Sequence, residues 1–217
     1  VEIIINYKLN NIDSKNKITY TINSKGVLKV KNDFVYGGNL NDAQIPRFGM
    51  NFTIPKQYSE VSWYGRGPHE NYIDRKSSAF VGLYKGLVED LGFDYSRPQE
   101  NGYRTDVRWL KVSNKDKIGF EIKGEPFISF RAHYNTIEDF DDGLIAQKPG
   151  ETIAVRQRLV KMQRKPVDIP KREFISLNVD LKQMGVGGDN SWGARTLPKY
   201  TIYPGNYSYN FSIVPFD

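Results

Sequence analysis

Three stretches of the chain combine glycine with aromatic and polar residues, a composition typical of ligand-binding loops. The first, second and third motifs span residues 63–75, 98–102 and 183–193. Glycine lets a backbone turn sharply or approach a ligand closely, and loops carried by a rigid sheet are where binding residues concentrate. In the third motif Trp192 follows Asp189, Asn190 and Ser191, with glycines on both sides. An indole presented by such a loop can cover the apolar face of a ligand.

The first motif favours a structural role over ligand contact. Its residues 65–68, Gly-Arg-Gly-Pro, predict a turn. Glu70, Asp74 and Arg75 are spaced to pair with one another or with the backbone, and buried charges persist only when they are paired in this way. We therefore expect a buried polar network here, with His69 exposed beside it rather than catalytic.

The carboxylates outside these motifs lack the context of catalytic acids. Glu125 precedes Pro126 between two apolar stretches, which predicts a hairpin turn. Four acidic residues cluster at Glu138, Asp139, Asp141 and Asp142. Hard cations bind such oxygens, but the spacing matches no ion-binding loop and predicts a solvated turn. The chain has two histidines and no cysteine, so thiolate metal sites and disulfides are excluded. No catalytic or metal-binding residue is predicted.

The elements that must position these residues are strands, because the dominant hydrophobic period is two. Apolar residues alternate within residues 48–54, 128–134, 175–181 and 207–213. Residues 18–30 predict a hairpin, and residues 77–90, which contain Gly82 and Gly86, predict strand and loop rather than helix. A further strand is expected around residues 153–159. The pattern predicts an all-β, antiparallel two-sheet sandwich formed by residues 1–217 as one domain.

The formal net charge is +6, and residues 156–172 hold seven basic residues and one acidic residue. One short basic run is more typical of a solvated strand edge than of a phosphate-binding surface, so no nucleic-acid partner is predicted. No apolar run approaches the roughly 20 residues that span a bilayer. The chain starts without Met or a recognisable targeting leader, which predicts an excised segment; a cytoplasmic or periplasmic location is left open.

The three motifs together resemble the C-terminal small-chain region of family 2 β-galactosidases. The matching runs are Trp-Tyr-Gly-Arg-Gly-Pro-His-Glu-Asn-Tyr-Ile-Asp-Arg at 63–75, Pro-Gln-Glu-Asn-Gly at 98–102 and Met-Gly-Val-Gly-Gly-Asp-Asn-Ser-Trp at 184–192. All three stand in the family's order, and the resemblance covers roughly residue 45 to the end. The first forty-odd residues fit as further strands but contain nothing diagnostic, and the basic run 156–171 departs from the family pattern.

The resemblance implies a galactose-mutarotase-like supersandwich that follows a separate catalytic barrel; whether further strands of the domain precede Val1 is left open. It implies that Trp192 forms a wall of the galactoside pocket and that Asp189, Asn190 and Ser191 fix the loop or hydrogen-bond nearby. The chain itself would be non-catalytic and inactive alone. The expected partners are the remaining domains of a retaining, commonly homo-oligomeric β-galactosidase and its terminal β-D-galactose substrate. Family members commonly use Mg and Na in the catalytic domain, and no cofactor is expected in this chain.

Two other functions fit the residues less well. A free-standing carbohydrate-binding module would need Trp192 and Trp63 exposed on one face. An aldose epimerase would need a His and Glu acid–base pair across a sugar. Only the type of fold suggests the epimerase, and fold analogy is a weak argument for function.

Overall fold

The computed structural model describes residues 1–38, 44–140, 165–188, 190 and 194–217. The described part is built from ten strands and five single-turn 3-10 helices. The strands are β1 Glu2–Leu9, β2 Ser14–Ile22, β3 Leu28–Val35, β4 Arg47–Pro55, β5 Glu60–Gly67, β6 Phe80–Leu87, β7 Arg104–Ser113, β8 Gly119–His133, β9 Phe174–Gln183 and β10 Tyr207–Phe216. The 3-10 helices are Asn10–Ile12, Val88–Asp90, Glu138–Phe140, Pro166–Asp168 and Pro198–Tyr200. None of the helices described is long and apolar enough to cross a membrane.

All of the strand pairings are antiparallel, and they form one branched sheet. The main path runs β1-β2-β3-β10-β8-β7-β5-β6, and β9 joins β8 to β4. The branch lies at β8, whose residues 119–125 pair with β10 and whose residues 129–133 pair with β9. The prediction that residue 125 lies in a hairpin turn is therefore wrong. Residues 124–127 are extra residues in the β7–β8 ladder, where the register shifts, and the strand continues through them.

The branch folds the β4–β9 pair over the β3–β10 pair, which produces the two layers of a β-sandwich. Phe48 on β4 lies 5.7 Å from Phe34 on β3 and 5.8 Å from Tyr209 on β10, measured between ring centroids. The Tyr209 hydroxyl donates a hydrogen bond to the backbone oxygen of Val179 on β9 at 2.9 Å. Apolar side chains from both layers form one core. The predicted all-β, antiparallel sandwich is confirmed.

The period-two segments became strands where the sequence predicted them. Residues 48–54, 175–181 and 207–213 lie within β4, β9 and β10, and the 18–30 hairpin is formed by β2 and β3. Residues 77–90 contain β6 and a single 3-10 turn, as expected. The strand predicted around residues 153–159 and most of the basic run lie outside the described residues. The assignment of residues 1–217 to one domain stays a prediction.

The polar side chains opposite the apolar stripes of β8 and β9 are buried. Ser176, Asn178 and Asp180 are at most 2% exposed, and Arg131 on β8 is fully buried. Asn51 of β4 donates to Ser176 and Asn178, Arg47 lies beside Asp180, and Arg131 contacts Glu100 and Asn101 of the second motif. The sheet therefore holds an apolar core on one side and a buried polar layer on the other.

Candidate functional site

The third motif begins at the last residue of β9 and leaves the sandwich as a surface loop. Val186 is 43% exposed, and Gly187, Gly188 and Asn190 are also exposed. Asp189, Ser191 and Trp192 lie outside the described residues, so of the predicted substrate-binding set only Asn190 is placed. A Cβ atom on Gly188 would lie 2.1 Å from the backbone oxygen of Ala194. Gly188 and Ala194 therefore lie in contact, although five residues separate them in the sequence.

The stem of this loop is held by backbone hydrogen bonds and by Asp74 of the first motif. The N–H groups of Met184 and Gly185 donate to the backbone oxygens of Pro46 and Tyr200 at 2.9 and 2.8 Å. The N–H of Gly187 donates to Asp74 Oδ2 at 2.7 Å. A Cβ atom on Gly185 would lie only 2.7 Å from Asp74 Cγ, so this approach requires glycine. One carboxylate therefore ties the first motif to the third.

The second motif reaches the same stem through Arg47 at the start of β4. The Arg47 guanidinium pairs with Glu100 at 2.9 Å and donates to the side-chain oxygen of Gln183, the last residue of β9. It lies 3.5 Å from Asp180 and 5.3 Å from the centre of the Tyr103 ring. All three motifs thus converge where β9 ends and the third motif begins.

Burial and neighbouring charges shift the pKa values of the ionisable side chains in this cluster. Asp180 has no solvent exposure, and desolvation raises its pKa to about 7 despite the nearby Arg47. Desolvation also raises the pKa of the Tyr103 hydroxyl well above its usual value, and Asp180 adds to the effect. For Arg47 the two neighbouring carboxylates outweigh burial, and its pKa is raised. The loop stem therefore rests on a permanently charged guanidinium beside a carboxyl that titrates near neutral pH.

The first motif forms a polar network, as expected, but the network is only partly buried, with Arg75 47% exposed, and the expected turn is absent. Glu70 accepts hydrogen bonds from Arg75 at 2.5 Å, from the N–H of Gly102 at 2.7 Å and from the Tyr95 hydroxyl. Residues 65–67, by contrast, belong to β5 and pair with β6. A Cβ atom on Gly65 would lie 2.8 Å from the Cα atom of Val107, so this glycine serves close approach of β7 rather than a turn.

The remaining candidates have structural surroundings. The His69 ring lies 3.1 Å from the Ser78 hydroxyl in an exposed position. Asp139 pairs with Arg172 at 2.5 Å, so this member of the acidic cluster is neutralised, whereas Asp141 and Asp142 lie outside the described residues. Trp63 is 2% exposed and packs edge-on against Phe130. Within the described ranges no group of three or more His, Asp or Glu side chains is arranged to hold a metal ion.

Sequence reasoning did not identify Arg47, Arg131 or Asp180 as parts of the site. Arg131 is fully buried, 3.7 Å from Glu100, and donates to the backbone oxygen of Asn101. One sequence feature could have indicated these buried charges: they occur in strands whose alternate positions are strongly apolar. On a solvated face such residues are ordinary, so only the covering segments distinguish the two cases.

Comparison with known proteins gives one consistent result. The family model described as beta galactosidase small chain matches residues 1–213, which extends the likeness through the first forty residues. The chain is 37% identical over 199 residues to a beta-galactosidase of Priestia megaterium, covering 91% of the chain and 17% of the relative. It is 32% identical over 189 residues to a beta-galactosidase of Halalkalibacterium halodurans, covering 86% of the chain and 17% of the relative. The chain thus spans about a sixth of the length of these relatives.

Solved structures give weaker similarities. A galactose mutarotase related enzyme from Lactobacillus acidophilus matches the whole chain and 67% of its own length with a TM-score of 0.44 and 10% identity. A GalM/aldose epimerase homologue from C. elegans covers 99% of the chain and 65% of its own length with a TM-score of 0.43 and 9% identity. The sequence matches are what assign the family. This chain belongs to the beta-galactosidase small chain family.

Proposed function

We propose that this chain is the non-catalytic domain that completes the galactoside pocket of a retaining β-galactosidase, an enzyme that releases terminal β-D-galactose. The observation that carries the proposal is the convergence of three motifs on one loop stem. Asp74 accepts from Gly187, and Arg47 joins Glu100 to Gln183. These ionic and hydrogen-bonding contacts hold the start of the third motif, the motif that contains Trp192 in the sequence.

The chemistry of a sugar wall suits this residue. One face of a pyranose ring is made of C–H groups, and an indole covers it with a large area at little cost in rotamer entropy. A wall must be held in position before the ligand arrives, which requires supporting residues that are themselves fixed. Asp74 and Arg47 supply that support, and Asp189, Asn190 and Ser191 would fix the excursion or hydrogen-bond to the ligand.

The reacting carboxyls are assigned to another part of a longer polypeptide. Retention requires an acid and a nucleophile about 5–5.5 Å apart with access to the sugar. In the described part of this chain, Glu70 and Glu100 are paired with arginines, and Asp180 is fully buried and out of reach of a sugar. The relatives are about six times as long as the matched segment, which leaves ample chain for a catalytic domain. We also propose that the longer enzyme binds Mg and Na ions in its catalytic domain and forms a homo-oligomer.

The alternatives lose support from burial. A carbohydrate-binding module that uses Trp63 together with Trp192 is disfavoured because Trp63 is 2% exposed. An epimerase needs an imidazole that exchanges protons with the sugar. Burial lowers the pKa of His133 to about 3, with Arg131 and Arg104 adding to the effect, so this imidazole stays neutral at physiological pH.

Separate production of the two parts tests the proposal. We expect the 217-residue chain alone to show no hydrolysis of nitrophenyl β-galactoside, and the remainder of the longer polypeptide to show little. Mixing the two should restore hydrolysis, because the mixture supplies both the reacting acids and the pocket wall. Hydrolysis by the 217-residue chain alone, or full activity of the remainder without it, would contradict the proposal. Circular dichroism of each part controls for misfolding.

A further inference from the structure

A cleft of about 270 Å³ opens beside the polar network, and none of the described residues of the third motif lines it. Its floor is the end of β8 at His133, and its walls come from residues 92–98, the 3-10 helix Glu138–Phe140 and residues 166–171. The volume lies just below the range of about 300–1,000 Å³ that is typical of ligand sites, and it suits a single small ring.

Two aromatic side chains form one wall and are held there by the motifs. Phe93 is 60% exposed, and its ring centre lies 4.6 Å from that of Tyr95, with the two ring planes tilted by 55°. The Phe93 N–H donates to the side-chain oxygen of Asn101 at 3.0 Å, and Asn101 is 2% exposed. The Tyr95 hydroxyl donates to Glu70 and accepts from Arg75 at 3.0 Å. The polar network therefore fixes the positions of both aromatic residues.

The other groups at the cleft are polar and nearly balanced in charge. Glu89 and Asp94 bring carboxylates, Lys171 brings an ammonium group, and Asn135 brings an amide. The His133 ring is packed edge-on against Phe140, with ring centres 5.7 Å apart, and stays neutral. A neutral ligand with hydroxyl groups at its edge and a C–H face matches this set, whereas a phosphate would meet two carboxylates for one ammonium group.

We propose that this cleft binds one pyranose ring of a neutral sugar, with its C–H face on Phe93 and Tyr95 and its hydroxyls donating to Asp94 and Glu89. Aromatic faces and carboxylate acceptors are the complementary partners of the two kinds of sugar surface. The site is independent of the proposed galactoside pocket, since it requires neither Trp192 nor a second polypeptide.

Titration of the isotope-labelled chain with D-galactose and, separately, D-glucose tests the proposal by amide chemical shifts. We expect saturable shifts at Gly92, Asn101 and Asn135 with millimolar affinity. Phe93→Ala should weaken binding at least about tenfold. Phe80 is a matched control, because it is 73% exposed on β6 and does not line the cleft, and Phe80→Ala should bind as the unsubstituted chain does.

Two further variants separate this site from the loop. Asp94→Asn preserves shape and should weaken binding without altering the fold, and Trp192→Ala should leave binding unchanged. Absence of saturable shifts with both sugars, or unaltered binding by both Phe93→Ala and Asp94→Asn, would overturn the proposal. Binding lost in Trp192→Ala but kept in Phe93→Ala would overturn it as well. None of these results depends on whether mixing with the longer polypeptide restores hydrolysis.

Discussion

Asp180 illustrates how one residue near the loop stem couples the fold to pH. Its side chain is fully buried and lies 3.5 Å from Arg47, and burial raises its pKa to about 7. In the unfolded chain an aspartate titrates near 3.9. Between these values the folded state keeps a proton that the unfolded state has released. The contribution of Asp180 to stability is therefore complete below about pH 4 and is lost as the pH rises to about 7.

His133 contributes with the opposite sign. Its folded-state pKa of about 3 lies below the value near 6.5 expected in the unfolded chain. The stability that it contributes is complete above about pH 6.5 and is lost as the pH falls toward 3. As the pH rises between about 4 and 6.5, the stability lost through Asp180 is offset by the stability gained through His133. Neither contribution is therefore visible in the pH dependence of the unsubstituted chain.

Replacing Asp180 with Asn should expose its contribution. Relative to the unsubstituted chain, we expect Asp180→Asn to gain about 2–4 kcal/mol in free energy of unfolding between pH 4 and pH 8, because the variant has no carboxyl to ionise. Urea unfolding at four pH values measures the change. Asp33→Asn is the control: hydrogen bonding from Ser208 lowers the pKa of Asp33, so its effect should be flat above pH 5. A pH-independent effect of Asp180→Asn would contradict the account.

At the scale of the element, the glycines of the first motif set the distance between strands. A Cβ atom on Gly65 of β5 would lie 2.7 Å from Val107 Cγ2 and 2.8 Å from its Cα atom on β7. Gly86 on the neighbouring strand β6 faces open space, with nothing within 4 Å of a Cβ atom. Close packing of β5 against β7 therefore requires glycine at position 65, whereas no neighbouring atom requires it at position 86.

The two positions provide a matched pair of substitutions. Gly65→Ala should lower the free energy of unfolding by about 1–3 kcal/mol, since the added methyl group meets backbone that cannot move aside cheaply. Gly86→Ala should change it by no more than about 0.5 kcal/mol. The urea unfolding midpoints of the two variants, compared with that of the unsubstituted chain, measure these changes. Equal effects would show that the close approach of β5 and β7 does not constrain the sheet.

The strands were predictable where one face meets the apolar core, as in β4, β9 and β10, because an alternating pattern then records burial directly. Prediction failed at residues 124–127 of β8, since a proline after Gly-Glu indicates a turn equally well as an irregular strand. The buried polar layer of β8 and β9 was also not predicted from the sequence. Whether Asp180 and Arg131 face water or a covering segment depends on contacts between residues far apart in the chain. The Trp192 assignment came from motif resemblance and stays a prediction.

At the scale of the whole molecule, the chain combines a self-contained core with features that indicate further contacts. The end strands of the sheet expose large apolar side chains, including Ile4 on β1 at 48% and Leu83 on β6 at 73%. Exposed apolar edges of this kind are normally covered in a native protein. Together with relatives about six times longer, they fit a domain that packs within a larger enzyme.

The most direct test of the central claim is the catalytic efficiency of the enzyme reassembled from this chain and the remainder of the longer polypeptide, measured with Trp192→Ala in place of the unsubstituted chain. We predict a fall in kcat/KM of about 10- to 100-fold, equivalent to about 1.4–2.8 kcal/mol of lost stabilisation. Trp192→Phe should restore part of the loss. An unchanged kcat/KM for a correctly assembled Trp192→Ala enzyme would contradict the account.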